Sequence, residues 1–195
     1  MDDAVRAAMA RWPDVPDVHG WLKLDARGNF RLRVPGTEPP RFEAIANPAL
    51  LAFIARNYGA DLSGRWHFQN GPQRVYVELE ATPWIMRLAP DGRVTTHTGG
   101  IVTAEAVFRD ENAVPVLVTP SGPGLLDDRD LAVFVDLLVD ATGSAPDDTA
   151  LETWLDDPGQ QTLFLRTAGR DLPIGTLTRE ELPVRFGYVM RPAPG

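Results

Sequence analysis

The segment 63–88 carries the residue types best suited to bind or transform a small molecule. Two predicted strands flank a turn at 70–73, and the turn fixes which residues lie opposite one another. On one face the pairs are Arg65 with Glu78, His67 with Tyr76, and Gln69 with Arg74. The other face is apolar and holds Trp66, Phe68, Val75 and Val77. The register therefore predicts a hairpin with one polar and one apolar face.

Three interpretations fit the polar face. It is a solvated sheet face with ordinary cross-strand pairs, the polar floor of a ligand-binding cleft, or a surface for a partner protein. The cleft interpretation predicts a small anionic ligand, because the Arg74 guanidinium can bind a carboxylate or phosphate with two parallel hydrogen bonds. The residues predicted to bind this ligand are His67, Gln69, Arg74, Tyr76 and Glu78.

Catalysis is the alternative function for the same face. A hydrolase-like enzyme would use His67 together with Glu78 or Glu80 for proton transfer. A metal site built from His67, Glu78, Glu80 and His97 stays open, since strands distant in sequence can converge. The histidines nevertheless lack H-x-H and H-E-x-x-H spacing, so we expect no metal and no cofactor.

Nucleophilic catalysis has little support in the sequence. There is no cysteine, which excludes disulfides, thiolate chemistry and cysteine-ligated metals. The serines are Ser63, Ser121 and Ser144, and none lies in a G-x-S-x-G motif. The Gly-rich segment 121–124 lacks the lysine and spacing of a phosphate-binding loop and is predicted to be a linker. We therefore assign no catalytic residue and favour a non-catalytic binding or regulatory module.

The charge of the chain restricts its partners. The 195 residues carry a formal net charge of −8, which argues against binding nucleic acid or an anionic membrane. Residues 127–157 contain ten acids and a single base, Arg129, so this segment carries the imbalance. Asp156 and Asp157 fall at a predicted helix C-terminus, where the helix dipole disfavours them, and a basic partner is one compensation. The expected partners are a small anionic ligand or a protein, with the chain a monomer or homodimer.

The predicted location is the cytoplasm. The N-terminal segment 1–12 is acidic and has no apolar core of the kind found in signal peptides. No apolar run approaches the roughly 20 residues that a membrane-spanning helix needs.

Helical and strand patterns predict an α+β fold. Helices are expected at 2–11, 47–58 and 127–142, and a further short helix follows Pro146. Strands are expected at 63–69, 73–80, 84–88, 93–98, 102–109, 114–119, 161–167 and 184–190. The closely spaced turns favour an antiparallel meander covered by the helices at 47–58 and 127–142. We expect a single compact unit over 1–195, with a sub-boundary near 121–126 between a β-rich part and an α+β part, and no internal repeat.

Two local signals are specific enough to fix geometry. A loop at 26–28, with Gly28 in the left-handed region, pairs Leu24 with Phe30 and Leu22 with Leu32. The second helix has Asn47 as N-cap and Pro48 at its first position, and Gly59 is predicted to end it.

The longest motifs resemble a family of uncharacterised proteobacterial proteins. The resemblance rests on Arg65–Glu80 (RWHFQNGPQRVYVELE), Thr82–Ile85, Val18–Leu22 and Asp25–Asn29, and it covers roughly residues 12–140. It implies a bacterial cytoplasmic protein of unknown function. It carries over no catalytic residue.

Overall fold

The chain groups into two compact units. The structure, a computed structural model, describes residues 1–194. The first unit comprises Met1–Pro83 with Gly187–Gly195, and the second is the continuous segment Trp84–Phe186. The predicted sub-boundary near 121–126 lies inside the second unit.

The first unit contains a six-stranded sheet. Its elements are α1 (Asp3–Arg11), β1 (Val18–Leu24), β2 (Phe30–Arg33), β3 (Phe42–Ala44), α2 (Pro48–Arg56), β4 (Tyr58–Ala60), β5 (Trp66–Asn70) and β6 (Gln73–Leu79). The strand order is β3-β2-β1-β6-β5-β4. The central strands β1 and β6 run parallel, whereas the other neighbouring strands run antiparallel.

Local sequence signals form the hairpins and the second helix of this unit. Leu22 pairs with Leu32 and Leu24 with Phe30, which confirms the predicted register of the first hairpin. The Asn47 side chain accepts hydrogen bonds from the backbone at the start of α2, which confirms the predicted N-cap. The predicted end of α2 at Gly59 is wrong, because the helix stops at Arg56 and the chain continues directly into β4.

The second unit contains a nine-stranded sheet. Its strands are β7 (Trp84–Leu88), β8 (Val94–Thr96), β9 (Ile101–Val102), β10 (Ala106–Arg109), β11 (Pro115–Thr119), β12 (Gly122–Leu126), β13 (Leu138–Val139), β14 (Phe164–Thr167) and β15 (Arg170–Thr176). Its helices are α3 (Leu131–Asp136), which follows a 3₁₀ turn at Asp128–Asp130, α4 (Asp148–Asp156) and α5 (Glu181–Phe186). The strand order is β13-β14-β15-β10-β11-β12-β7-β8-β9.

Strands β10–β15 repeat the topology of β1–β6. In each set three antiparallel strands precede a helix, three antiparallel strands follow it, and the first and sixth strands pair in parallel. The turns repeat as well: the carboxylates of Asp25 and Asp110 each accept hydrogen bonds from the backbone N–H groups two and four residues later. Asp61 and Asp140 do the same after β4 and β13. The expectation of no internal repeat is therefore wrong at the level of structure.

An apolar cluster fills the interior of the second unit. Its buried members come mainly from the strands of the nine-stranded sheet and from α3 and α4, and they include Met86, Leu117, Phe134, Trp154, Leu163 and Leu165. A Cβ at Gly124 would lie 2.5 Å from the Met86 methyl carbon and 2.6 Å from Met86 Cγ, so a larger residue there would displace the Met86 side chain. Strands β7 and β12 therefore approach closely at this glycine.

The predicted α+β class is wrong, because the protein is mostly β and its helices are short. Three parallel pairs, β1 with β6, β10 with β15 and β12 with β7, replace the simple antiparallel meander. Parallel partners need a long crossover, so no turn between them marks the pairing in the sequence.

Three segments also differ from their predicted structure. The predicted linker at 121–124 belongs largely to β12, and the predicted helix at 127–142 breaks into a 3₁₀ turn, α3 and β13. The strand predicted at 184–190 begins as the last residues of α5. Within residues 1–194, every helix is too short or too polar to span a lipid bilayer.

Candidate functional site

Two adjoining grooves lie in the first unit. The larger, about 580 Å³, is lined by Met9, Pro13, Asp14, Val15, Pro16, Asp17, Gln69, Pro72 and Arg74. We call it the Arg74 groove. The smaller, about 420 Å³, is lined by Met1, Met9, Ala60, Asp61, Leu62, Ser63, Arg65, His67, Gln69 and Arg74. We call it the Asp61 groove. Met9, Gln69 and Arg74 line both grooves.

Strands β5 and β6 supply the floor. Their register pairs His67 with Tyr76 and Gln69 with Arg74, as predicted from the turn. The face is not solvated, however, because His67, Gln69 and Tyr76 are 6%, 1% and 1% exposed. The register was therefore predictable, but the burial of this polar face was not.

The carboxylate of Asp61 connects the polar side chains around the grooves, which we call the polar cluster. Its carboxylate accepts hydrogen bonds from the backbone N–H of Ser63 and of Arg65, from Arg65 Nε at 2.8 Å and from the Tyr76 hydroxyl at 3.0 Å. Burial raises the pKa of Asp61, but these four hydrogen bonds outweigh burial and lower the pKa to about 2. Asp61 is therefore an anion whose carboxylate is already bound by Arg65 and Tyr76.

Tyr76 is enclosed by aromatic and cationic side chains. The His19 ring stacks on it with centroids 4.5 Å apart, and the His67 ring meets it edge-on at 5.7 Å. The Arg65 guanidinium carbon lies 4.8 Å from the Tyr76 ring centroid. Burial raises the pKa of Tyr76, and its hydrogen bond to Asp61 raises it further, so the phenol stays protonated at neutral pH.

His67 is neutral in this cluster. Burial lowers the pKa of His67, and the nearby positive charge of Arg74 lowers it further. Its Nδ1 lies 3.5 Å from the backbone carbonyl oxygen of Arg65. No contact within residues 1–194 joins His67 to Glu78 or Glu80, the partners of the catalytic alternative, and Glu80 forms an ion pair with Lys23 at 3.2 Å.

Arg74 and Gln69 have unused binding capacity. Among the described residues Arg74 forms no ion pair, and its guanidinium meets the Tyr76 hydroxyl instead. Gln69 Nε2 donates to the Gly71 carbonyl oxygen at 2.9 Å. Gln69 Oε1 is buried and has no hydrogen-bond partner in the part of the chain that the structure describes. Within the described residues, Arg74 therefore lines both grooves without a carboxylate partner, and Gln69 beside it has a buried acceptor without a donor.

The structure brings together most of the predicted binding residues, but not all. His67, Gln69 and Arg74 line the grooves, and Tyr76 lies buried beside them. Glu78 lines neither groove, and the predicted pairing of Arg65 with Glu78 is replaced by the ion pair of Arg65 with Asp61.

Two members of the cluster, Asp61 and His19, are not among the residues predicted from the sequence. The run Asp61-Leu-Ser-Gly64 is a signal that could have found Asp61, because aspartate before Ser-Gly favours this backbone turn. His19 has no local signal, since β1 and β6 pair in parallel although β2–β5 lie between them in the chain.

Residues 1–194 contain no group of three or more histidine and acidic side chains placed to hold a metal ion. His97, which the metal alternative requires, lies in the second unit, where its Nδ1 accepts from the Ile85 backbone N–H at 3.2 Å. His67, Glu78 and Glu80 belong to the first unit.

The acidic end of α4 has an internal partner. Arg109 donates from its guanidinium to the carbonyl oxygens of Trp154 at 2.6 Å and Leu155 at 3.1 Å, and it lies over the Trp154 ring. A cation at these unpaired carbonyls opposes the negative end of the helix dipole. Asp156 and Asp157 therefore need no basic partner to be accommodated at the end of this helix.

Comparisons with known proteins identify relatives by sequence and by fold. The family model DUF2944, described as "Protein of unknown function (DUF2946)", matches residues 1–193. A crystal structure of a DUF1285 family protein from Silicibacter pomeroyi is similar with a TM-score of 0.51 and 16% identity, covering 93% of this chain and 98% of that chain. At this identity the likeness concerns the fold alone.

A second solved structure, a DUF1285 family protein from Shewanella baltica, has a TM-score of 0.36 and 19% identity, covering 59% of this chain and 90% of that chain. No curated protein matches the chain. The predicted resemblance to a bacterial family of unknown function is confirmed.

Proposed function

Because the chain belongs to the DUF2944 family of proteins of unknown function, we propose its function from the geometry of the first unit. The protein is a non-catalytic binding module for a small anionic ligand, and Arg74 binds the anion in the Arg74 groove. Small-molecule sites are concave, with a few well-placed polar groups in a largely apolar lining. Their volumes are roughly 300–1,000 Å³. The Arg74 groove, of about 580 Å³, lies within this range, and five of its nine lining residues have apolar side chains.

The observation that carries the proposal is a difference between the two structural repeats. Gln69 and Arg74 face each other on β5 and β6, next to the turn. Arg166 and Asp171 face each other at the same positions on β14 and β15, and they form an ion pair with 2.9 Å between Nη2 and Oδ2. At the position of Arg166, which is the charge partner of Asp171 in the second unit, the first unit has the uncharged Gln69. The cation of the first unit is therefore left open to an external anion.

The remaining charges of the cluster do not neutralise Arg74. The Asp61 carboxylate is occupied by Arg65 and Tyr76, and burial keeps His67 neutral. A buried acceptor without a partner, such as Gln69 Oε1, costs about 1–3 kcal/mol. A ligand that satisfies both Arg74 and Gln69 recovers part of that cost on binding.

The proposal is tested by measuring anion binding to the full chain. Isothermal titration and thermal denaturation with phosphate, acetate, succinate and citrate should identify at least one stabilising anion. A ligand at 100 times its dissociation constant adds about 2.7 kcal/mol of stability. If neither an anion of this panel nor any other ligand with a carboxylate or phosphate group binds or stabilises the protein, the proposal is wrong.

A single isosteric change closes the site without removing the arginine. Gln69→Glu places a carboxylate opposite Arg74, as Asp171 stands opposite Arg166 in the second unit. We expect this variant and Arg74→Met to lose at least tenfold in anion affinity. Asp171→Asn, which opens the corresponding pair of the second unit, is the matched control and should bind as the wild type does. Unchanged binding by Gln69→Glu would contradict the assignment of this groove.

The location that we propose for this module is the cytoplasm. Cell fractionation with an antibody against the protein tests it, and recovery outside the cytoplasmic fraction would contradict it.

A partner protein is the competing occupant of the groove. Co-purification of a protein that is lost in Arg74→Met, without any anion binding, would favour that occupant.

A further inference from the structure

We propose that the ligand of the Arg74 groove is a small zwitterion, with an ammonium and a carboxylate on an apolar body, as in an apolar α-amino acid. The inference rests on the proposed function, since it takes Arg74 as the partner of the carboxylate. It adds a second recognition element of opposite charge and an apolar surface for the rest of the molecule.

The Arg74 groove contains charges of both signs that do not neutralise one another. Asp14 and Asp17 lie between α1 and β1, and they line the groove together with Arg74. Within residues 1–194 neither acid forms an ion pair or a side-chain hydrogen bond, whereas most other acids of the first unit do. A ligand with one positive and one negative group matches this arrangement, because each end meets an unpaired opposite charge.

Gln69 independently favours a hydrogen-bond donor on the ligand. Its Nε2 donates to the Gly71 carbonyl oxygen, so the opposite assignment would place two acceptor oxygens against each other. The amide oxygen is therefore the atom left without a partner in the described chain, and Gln69 is 1% exposed. A fully ionised carboxylate such as acetate or succinate offers this oxygen no proton, whereas an ammonium group offers three.

The rest of the groove favours an apolar ligand body. Its remaining lining consists of Met9, Pro13, Val15, Pro16 and Pro72. These side chains have no hydrogen-bonding group that could recognise a polar ligand side chain, apart from the weak acceptor of methionine. We therefore expect leucine and phenylalanine to bind better than glycine or serine, since their side chains bury more apolar surface.

The test compares three ligands that differ only in their charged groups. L-Leucine carries both groups, 4-methylpentanoate lacks the ammonium, and 3-methylbutylamine lacks the carboxylate. Isothermal titration of the full-length protein should show leucine binding at least tenfold more tightly than either analogue. L-Phenylalanine is the second zwitterionic probe and should also bind.

Variants assign each end of the ligand. Asp14→Asn with Asp17→Asn should weaken leucine binding at least fivefold, whereas 4-methylpentanoate should bind no more weakly than to the wild type, since two negative charges are removed near its carboxylate. Arg74→Met should weaken both at least tenfold. Glu43→Gln removes an acid on β3 that lines neither groove and is the matched control, with no expected change. Thermal denaturation of every variant verifies that the protein is folded.

The outcomes separate this inference from the proposed function. If 4-methylpentanoate binds as tightly as leucine and the double asparagine variant changes neither affinity, the zwitterion inference is wrong and the anion site stands. If phosphate, acetate, succinate or citrate binds through Arg74 while leucine and phenylalanine do not, the zwitterion inference is likewise wrong and the anion site stands. If none of these compounds binds, the proposed function fails together with the inference.

Discussion

The hydroxyl of Tyr76 lies between an acid and a base of the first unit. It donates to Asp61 Oδ2 at 3.0 Å and meets the Arg74 guanidinium. We expect Tyr76→Phe to lower the free energy of unfolding by about 1.5–3 kcal/mol, since the lost hydrogen bond is made to a charged group. Urea denaturation monitored by circular dichroism measures the change.

Tyr188→Phe is the matched control for this prediction. The Tyr188 hydroxyl donates to the neutral carbonyl oxygen of Ala81 at 3.0 Å, so its removal should cost only about 0.5–1.5 kcal/mol. Equal losses in the two variants would contradict the charged character of the cluster around Asp61.

Asp61 makes the stability of the protein depend on acidic pH. Unfolded Asp61 binds a proton near its ordinary pKa of 3.8, whereas in the folded protein its pKa is about 2. Because the unfolded state then holds more protons, the free energy of unfolding falls as the pH drops from above 3.8 to about 2. In Asp61→Asn this contribution is absent at every pH, and urea titrations at pH 2–6 should show a flatter acid limb.

His67 gives a second pH dependence at higher pH. Burial lowers the pKa of His67 below its ordinary value of 6.5, so the unfolded chain takes up a proton before the folded protein does. The free energy of unfolding should therefore decrease as the pH falls below about 6.5, and remain constant above it for this group. His67→Gln should remove that decrease between pH 6.5 and 5, measured by urea denaturation. A slope unchanged by His67→Gln would show that other groups cause it.

The polar face of the site was predictable from the sequence, whereas its surroundings were not. The turn residues fix the pairing of His67 with Tyr76 and of Gln69 with Arg74, because the register of a short hairpin is local. The burial of that face and the role of Asp61 depend on segments far away in the chain. Such contacts leave no periodicity in the hairpin itself.

At the scale of single elements, α4 depends on a residue from β10. Arg109→Met removes two charge-assisted hydrogen bonds to the last carbonyl groups of the helix. We expect a loss of about 2–3 kcal/mol in the free energy of unfolding, because hydrogen bonds to charged groups are worth about 1.5–3 kcal/mol. Trp154 fluorescence and urea denaturation measure it.

Arg93→Met is the control for this change. Arg93 forms an exposed ion pair with Asp91 at 3.4 Å, and its removal should cost less than about 1 kcal/mol. If Arg109→Met were equally mild, the carbonyl groups of α4 would be satisfied without the arginine, and the proposed capping role would be wrong.

The elements that the sequence predicts well are those with local signals. The hairpin at Gly28, the cap at Asn47 and α1 all follow from residues within a few positions of each other. Strand β12 was missed because Gly122 and Gly124 are unfavourable in strands, and here close approach to Met86 outweighs that preference. The sequence does not predict the parallel pairs, because other strands lie between the two partners along the chain.

At the scale of the whole molecule, the chain enters the second unit once and leaves it once. We expect a fragment of residues 84–186 to fold alone, since it holds an apolar cluster of its own. Circular dichroism and cooperative urea denaturation of the fragment provide the measurement. A fragment without a cooperative transition would contradict its independence.

The first unit, by contrast, needs chain from both sides of the second. The Leu79 backbone N–H donates to the Met190 carbonyl oxygen at 2.8 Å, and the Val189 N–H donates to Gly64 at 3.0 Å. A fragment of residues 1–83 should therefore be much less stable than a fusion of 1–83 to 187–195 through a short linker. Equal stability of the two would show that the returning segment contributes little.

This division sets an order of events during synthesis on the ribosome. Residues 84–186 emerge together and can fold as soon as they leave the exit tunnel, whereas Gly64 and Leu79 wait for Val189 and Met190. At translation rates of about 5–20 residues per second, the delay is on the order of 5–20 seconds. For that time the nascent first unit lacks the hydrogen bonds that join Gly64 and Leu79 to the returning segment.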